Sequence, residues 1–318
     1  MEMQGTPPSF IERYFKIREK GSSVRTELIA GLTTFIAMAY ILFVNPNILA
    51  DAGIPKDAAI ASTIWIAALA SIAMGVFANY PVALAPGMGL NAFFAYYVCG
   101  VLGLHWTVAL GAVFFSGVLF LILTVGGIRQ AIINAVPRDL KLAISVGIGL
   151  FIAFIGLKGT GLIVENSATY VSLGHVTAPT TLLSLFGLLF TAALMARNVH
   201  GSILIGIFVT TVLAMALGMT PAPQGLGDIV STSLPHMGGT FGQLDLAGAW
   251  NYGLVSIIFT FTVVELFDNM GTLIGLTTKA KMVKSDGHIE NIDKALTTDA
   301  VGTMVSAVFG TSTVTSYI

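Results

Sequence analysis

The chain has 318 residues, of which 55% are hydrophobic and only 10% are charged. Since soluble domains carry about 25% charged residues, this composition indicates an integral membrane protein and excludes an ordinary soluble one. The net charge of -1 supplies no basic surface for nucleic acid, and a single cysteine excludes an intrachain disulfide and a cysteine-based metal site.

Residues 1–27 form a polar tail with five basic side chains, and a long apolar run follows it. This run has no small-residue cleavage pattern at its end, so it is predicted to be a retained first span and not a signal peptide. Within the tail, residues 14–20 are either a short amphipathic helix on the membrane surface or an ordinary polar segment.

Apolar runs that are long enough to cross a bilayer recur along the chain, since a spanning helix needs about 17 to 25 residues. The runs cover residues 28–49, 58–83, 107–126, 140–164, 180–196, 202–217 and 253–276, with a shorter one at 295–309. Between the second and third runs, residues 85–97 begin with the helix-breaking Pro86, Gly87 and Gly89. This segment is predicted to be a broken or half-length span.

The distribution of Lys and Arg predicts how the chain is oriented. If the broken segment counts as one crossing, Lys56 and Lys158 are the only exceptions among 15 Lys and Arg residues that otherwise share one side of the membrane. The positive-inside rule then places the N-terminus in the cytoplasm of a multi-pass cell-membrane protein. Without that crossing, every later loop would change sides.

One long loop, residues 219–251, is rich in Pro and Gly and has no Lys or Arg, which places it outside the cell. The loop is too short to bury a hydrophobic core of its own. It separates seven crossings, residues 28–218, from a further set that covers residues 252–318. Such a division is typical of a transporter built from two repeats.

Two acids, Glu265 and Asp268, lie inside the apolar run at residues 259–275. An acidic side chain at mid-membrane costs about 2.5 to 3.5 kcal/mol, so both are expected to face a bundle interior or a wet cavity. On a helix they share one face with Asn269 and Thr272. Two carboxylates one turn apart cannot easily both ionise, so the pair is a candidate for loading and releasing a proton. The alternative is a structural role, in which the acids satisfy buried polar groups.

The broken segment is a second candidate site. Backbone N–H groups at the start of its half-helix, together with Asn91 and the rings of Phe93 and Phe94, suit a flat polar ligand. The alternative is a Pro-Gly kink between two packed helices. The chain has no zinc-protease or serine-hydrolase motif, so a transporter is predicted and not an enzyme.

Four stretches of the chain resemble the adenine/guanine/hypoxanthine permeases, the azaguanine-type branch of the nucleobase/ascorbate transporter superfamily. They are residues 30–46 (AGLTTFIAMAYILFVNP), 79–94 (NYPVALAPGMGLNAFF), 266–273 (LFDNMGTL) and 310–318 (GTSTVTSYI). Glu265 departs from the Asp that is usual in this branch, although the charge is kept.

The resemblance implies an all-α integral membrane fold of seven plus seven spans in two inverted repeats, with short strands in broken spans 3 and 10. It also implies proton symport of purine nucleobases, without a cofactor or a metal. By motif, Asp268 corresponds to the substrate carboxylate of span 8, and Glu265 assists substrate positioning or proton coupling. The strands map near residues 90–92 and 315–317. The predicted substrate-binding residues are therefore Asp268, Glu265, Asn91, Leu90, Ala92, Phe93, Thr272, Ser316 and Tyr317.

The same resemblance predicts a second substrate carboxylate directly after Ile318. The chain is therefore expected to be the N-terminal portion of a longer permease, truncated in span 10 and without coupled uptake on its own. Two alternatives stay open: an anion permease of similar architecture, which acids at the site disfavour by repulsion, and a non-transporting membrane fragment. The preferred purine, proton or sodium coupling, and the formation of a homo-oligomer are left open by the sequence.

Overall fold

The computed structural model describes residues 9–127, 137–225, 236–279, 282 and 289–317 of the chain. Three cations that were used to predict the orientation, Arg129, Lys281 and Lys284, lie outside these residues, as does Ile318. The described part is mostly helical, as predicted, and its strands pair as two short two-stranded sheets.

Helices cover the apolar runs. In chain order they are α1 (Phe10–Tyr14), α2 (Val24–Met38), α3 (Ile41–Asp51), α4 (Lys56–Ala73), α5 (Met88–Ala92), α6 (Trp106–Val125), α7 (Arg138–Gly159), α8 (Pro179–Ala196), α9 (Ser202–Ala216), α10 (Leu246–Asn251), α11 (Val255–Lys279) and α12 (Ile292–Phe309). Two π-helices, Met74–Ala78 and Phe93–Val101, continue α4 and α5. Within the described residues, five stretches are long and apolar enough to cross a membrane: Val24–Asp51, Lys56–Ala78, Trp106–Val125, Pro179–Ala196 and Val255–Thr277. This pattern is that of a multi-pass membrane protein.

The first predicted span consists of two helices. α2 ends at Met38 and α3 begins at Ile41, so Ala39 and Tyr40 form a break within the apolar run. Tyr40 is half-buried, and its ring centroid lies 6.4 Å from that of Tyr317. The break in the first span therefore meets a segment that is far away in the sequence.

Two of the strands pair inside the helix bundle although they come from distant parts of the chain. β2 (Ile163–Asn166) and β3 (Tyr170–Leu173) form a local hairpin after α7, whereas β1 (Ala83–Pro86) pairs with β4 (Val314–Tyr317). The pairing of β1 with β4 is antiparallel. Because lipid offers no hydrogen-bond partner, extended backbone at this depth needs a partner within the protein, and each strand supplies it to the other.

Hydroxyl groups on the preceding helices hold both strands in place. The Ser71 hydroxyl of α4 accepts a hydrogen bond from Leu84 N at 2.9 Å and donates one to Leu84 O at 3.0 Å. On α12, Thr303 Oγ1 accepts a hydrogen bond from Val314 N at 3.2 Å. The two strands are therefore anchored by similar contacts between a side chain and the backbone.

The strand predicted at residues 315–317 is confirmed, but the one predicted at residues 90–92 is wrong. Residues 90–92 are helical, and the strand lies immediately before Gly87. The physical reason is that a residue preceding proline is driven toward extended backbone, so the chain stays extended into Pro86. Gly87 O then accepts a hydrogen bond from Asn91 N at 2.9 Å, and the helix begins there.

Two other boundaries differ from the sequence prediction. α7 ends at Gly159 and β2 begins at Ile163, so the run predicted to cross up to residue 164 ends earlier as a helix. The predicted loop at residues 219–251 contains the short helix α10, whose N-cap Asp245 accepts a hydrogen bond from Gly248 N at 2.7 Å. A capping aspartate before a short apolar stretch was the sequence signal for this helix.

Asn45 of α3 is the centre of a buried polar network. Its side chain is fully buried, and its amide nitrogen donates to Thr63 Oγ1 at 2.8 Å and to Thr311 Oγ1 at 3.3 Å. Its amide oxygen accepts a hydrogen bond from Asn91 Nδ2. The network joins α3, α4, α5 and the segment before β4, and these bonds are stronger than in water because the interior has a low dielectric constant.

Close packing around α6 depends on glycine. A Cβ atom on Gly111 would lie 2.4 Å from Asp245 O and 2.8 Å from Ala249 Cβ. A Cβ atom on Gly117 would lie 2.8 Å from Met304 Cγ of α12. Small residues allow membrane helices to approach each other this closely. α10 therefore packs against Gly111 of α6, and α12 packs against Gly117.

We expect Gly111→Ala to lower the melting temperature of the detergent-purified protein, because the backbone oxygen of Asp245 cannot move aside as a flexible side chain does. Overpacking of this kind lowers the free energy of unfolding by about 1 to 3 kcal/mol. Gly147→Ala on α7 is the matched control, since nothing lies within 4 Å of a Cβ atom there. Equal melting temperatures for the two variants would contradict this account of the packing.

We expect Asn45→Ala to destabilise the protein as well, because it leaves Asn91 and Thr311 with unsatisfied polar groups. Each buried polar group that loses its hydrogen-bond partner lowers the free energy of unfolding by about 1 to 3 kcal/mol. Asn47→Ala is the control, because Asn47 is exposed and bonds Phe43 O on its own helix at 2.8 Å. Thermal unfolding followed by fluorescence measures both variants, and a comparable loss for Asn47→Ala would count against the network.

Candidate functional site

A cavity of about 420 Å³ opens where the break in the first span, the start of α5 and the strand β4 meet α11. Its volume lies within the range of about 300 to 1,000 Å³ that is usual for small-molecule sites. Residues of α7, α8 and α9 close the remaining wall. The lining includes Tyr40, Gly89, Asp268, Thr315, Ser316 and Tyr317.

The helix α11 places a carboxylate in the wall of this cavity. It runs without interruption from Val255 to Lys279, so Glu265, Asp268 and Thr272 recur on one face as predicted. Asp268 and Thr272 line the cavity. Among the described lining residues, Asp268 is the one carboxylate, and none is Lys, Arg or His.

Side chains of α11 hold β4 against the helix. Thr315 Oγ1 lies 2.9 Å from both Asp268 Oδ2 and Asn269 Oδ1, and its single proton is donated to one of them at a time. Ser316 N donates to Asn269 Oδ1 at 3.3 Å. The other carboxylate oxygen, Asp268 Oδ1, receives no hydrogen bond from the described part of the chain, so it is available to a ligand.

Two further acids lie behind the cavity wall. Glu265 is 1% exposed and accepts a hydrogen bond from Thr303 Oγ1, and Asp299 is 0% exposed and accepts one from Asn269 Nδ2. Glu265 Oε2 and Asp299 Oδ1 have no hydrogen-bond partner among the described residues. No salt bridge within those residues involves either acid. Buried acids without a cationic partner are costly, which is why intramembrane acids are usually functional.

The structure brings four of the nine predicted substrate-binding residues to the cavity and leaves the others outside its lining. Those in the lining are Asp268, Thr272, Ser316 and Tyr317. Those outside it are Glu265, Leu90, Asn91, Ala92 and Phe93. Asn91 is fully buried against Asn45, and Phe93 packs edge-on against Phe261 with ring centroids 5.2 Å apart.

The start of α5 contributes backbone to the cavity. Met88 and Gly89 line it, and they belong to the first turn of a helix that continues as a π-helix to Val101. Amide N–H groups in a first helical turn have no acceptor within the helix. The use of the broken segment for binding polar groups stays a prediction, and the part of the segment that lines the cavity is Met88 and Gly89, upstream of Asn91.

Neither Tyr40 nor Asp299 is among the site residues predicted from the sequence. The signal for Asp299 was an acid inside the run at residues 295–309, which the rule for intramembrane acids would have identified. A tyrosine such as Tyr40 within an apolar run carries no comparable signal, because tyrosine is common both in cores and at membrane interfaces.

Comparison with solved structures supports the fold. The chain matches the transmembrane domain of a cyanobacterium bicarbonate transporter, BicA, with a TM-score of 0.56 and 15% sequence identity. The match covers 92% of this chain and 74% of that chain. At this level of identity the likeness concerns the fold alone.

Curated relatives are much more similar in sequence. A protein of Methanocaldococcus jannaschii that is named as a permease is 50% identical over 309 residues, which is 97% of this chain and 70% of the relative. The adenine permease AdeP of Escherichia coli is 45% identical over 315 residues, covering 99% of this chain and 70% of the relative. The guanine/hypoxanthine permease PbuG of Bacillus subtilis is 41% identical over 320 residues, covering 97% of this chain and 71% of the relative.

These similarities confirm the resemblance found in the sequence and the prediction of a transporter and not an enzyme. The Permease family matches residues 25–318, which is nearly the whole chain. This protein is a member of the Permease family, and its relatives include adenine and guanine/hypoxanthine permeases.

Proposed function

We propose that this protein imports purine nucleobases across the cell membrane by proton symport. The observation that carries the proposal is the free Asp268 Oδ1 in a cavity whose described lining has no Lys, Arg or His. A purine base carries N–H donors on its edge, which a carboxylate accepts. Its flat faces suit the aromatic rings of Tyr40 and Tyr317. The adenine and guanine/hypoxanthine permeases among the relatives support the same substrate class.

Proton coupling is proposed for the two acids of α11, Glu265 and Asp268, with Asp299 as a third member of the cluster. Asn269 connects them, since it bonds Asp299 and shares the hydroxyl of Thr315 with Asp268. Carboxylates that are close together in a low-dielectric interior repel one another, so the gain of one proton strongly changes the electrostatic free energy of the cluster. A neutral base and a proton then travel together in this proposal.

The proposed architecture follows the sequence prediction of two inverted repeats. Residues 1–27 are a cytoplasmic tail, 28–218 the first repeat, 219–251 an outer loop and 252–318 the start of the second repeat. The similar anchoring of β1 by Ser71 and of β4 by Thr303 supports this division.

An anion carrier is the less favoured alternative. The fold is shared with the transmembrane domain of a bicarbonate transporter, which makes this alternative worth testing. Asp268 in the cavity wall repels an anion, and no basic residue of the described lining offsets this repulsion. Competition of purine uptake by bicarbonate or sulfate would favour the alternative.

We expect Asp268→Asn to reduce uptake of labelled adenine, guanine and hypoxanthine by roughly 10- to 100-fold, because a hydrogen bond to a charged group contributes about 1.5 to 3 kcal/mol. The protein is expressed from its complete coding sequence in cells without purine permeases of their own. Asp57→Asn is the control, since Asp57 is exposed and outside the cavity. Normal uptake by Asp268→Asn would remove Asp268 from the site, and no uptake by the unmodified protein would favour a non-transporting role.

We also expect purine uptake to rise when the outside is made more acidic, to collapse with a protonophore and to be unchanged when potassium replaces sodium. Glu265→Gln is expected to retain purine binding and to lose much of the pH dependence, because the variant cannot exchange a proton. Uptake is measured in whole cells, and binding is measured by calorimetry on the purified protein. Uptake that follows the sodium gradient would contradict proton symport.

A further inference from the structure

Tyr40 brings an uncommitted hydroxyl group to the cavity. It lies in the break between α2 and α3, lines the cavity and is half-buried. Its hydroxyl has no hydrogen-bond partner in the part of the chain that the structure describes. The hydroxyl of Tyr317, in contrast, donates a hydrogen bond to Pro86 O at 2.6 Å. Of the two tyrosines, Tyr40 is the one whose hydroxyl is free to bond a ligand.

The rings of Tyr40 and Tyr317 form one aromatic wall. Their centroids are 6.4 Å apart and their planes are inclined by 54°. Aromatic rings in direct contact have centroids about 4.5 to 7 Å apart, so no third ring fits between these two. A flat ligand that contacts this wall therefore does so from one side only, and its edge then meets the polar groups around it.

Ser316 lines the same cavity, but its Oγ is shielded from solvent and has no hydrogen-bond partner among the described residues. The unpartnered hydroxyl group that the cavity offers a ligand is therefore that of Tyr40. An ionised carboxylate such as that of Asp268 only accepts hydrogen bonds, whereas a hydroxyl group both donates and accepts them. The cavity can therefore pair with donor and acceptor atoms on the edge of one ligand.

We infer that Tyr40 is a substrate-contacting residue that determines which purine is preferred, with its ring against the base and its hydroxyl on a polar edge atom. The inference rests on the proposed purine substrate. Adenine has an amino donor at C6, where hypoxanthine has a carbonyl acceptor. The Tyr40 hydroxyl accepts a hydrogen bond from the amino group of adenine but donates one to the carbonyl oxygen of hypoxanthine. These two bonds have different geometries, so Tyr40 contributes unequally to the affinities for adenine and hypoxanthine.

The test is Tyr40→Phe, which keeps the ring and removes the hydroxyl. We expect this variant to transport purines and to change the ratio of the KM values for adenine and hypoxanthine by about 3- to 10-fold, as befits one neutral hydrogen bond. Tyr40→Leu removes the aromatic ring as well as the hydroxyl group. This variant is expected to raise the KM values for adenine and for hypoxanthine by about 10-fold or more.

Tyr97→Phe is the matched control. Tyr97 is 43% exposed, its ring stacks on Phe93, and it lies outside the cavity lining. Its KM ratio is expected to equal that of the unmodified protein. An unchanged ratio in Tyr40→Phe, or an equal change in Tyr97→Phe, would overturn the inference. Absence of purine uptake by the unmodified protein defeats the proposed function instead, so the two failures are distinguishable.

A labelling experiment keeps the inference testable if the variants transport poorly. Cys99 is the single cysteine of residues 1–318, and Cys99→Ala removes it. Any further cysteine of the expressed protein is replaced by Ala as well. In that background, adenine is expected to protect Tyr40→Cys from a membrane-permeant maleimide and to leave Tyr97→Cys unprotected. Labelling of Tyr40→Cys at the same rate with and without adenine would overturn the inference.

Discussion

The pairing of β1 with β4 is the constraint on which the rest of this structure depends. Extended backbone among membrane helices is stable only when its N–H and C=O groups find partners within the protein, and here two strands far apart in sequence satisfy each other. The pairing fixes where the helix of the first broken segment can begin. It also brings Thr315 beside Asp268 at 2.9 Å, which orients the carboxylate at the cavity wall.

The acids of the site occupy two layers with different surroundings. Asp268 faces the cavity with one oxygen that no described residue hydrogen-bonds, whereas Glu265 and Asp299 are buried behind it. Each buried acid is held by one neutral donor, Thr303 or Asn269. Such a donor fixes a carboxylate in position but adds no compensating charge, so the stability of this layer depends on how many protons it holds.

The sequence predicted those features that have a strong local signal. Asp268 was identified because a carboxylate within an apolar run has few structural explanations, and the strand at residues 315–317 followed from the family resemblance. The first strand was misplaced because its position was taken from the family resemblance, while residues 83–86 carry no local signal that distinguishes a strand from ordinary apolar chain. Tyr40 was missed because its position in the cavity arises from the break after α2, which depends on contacts with distant segments. Long-range contacts of this kind leave no periodic pattern in the sequence.

The contact between Gly87 and Thr315 of β4 has a consequence for which substitutions this part of the structure tolerates. A Cβ atom on Gly87 would lie 3.0 Å from Thr315 Cγ2, so the two positions share one volume although 227 positions separate them in the chain. A larger side chain at position 87 therefore requires Thr315, which is bonded to Asp268 or Asn269, to shift. A substitution at Gly87 therefore reaches the cavity wall through Thr315, whereas Tyr40 lines the same cavity and lies outside this contact.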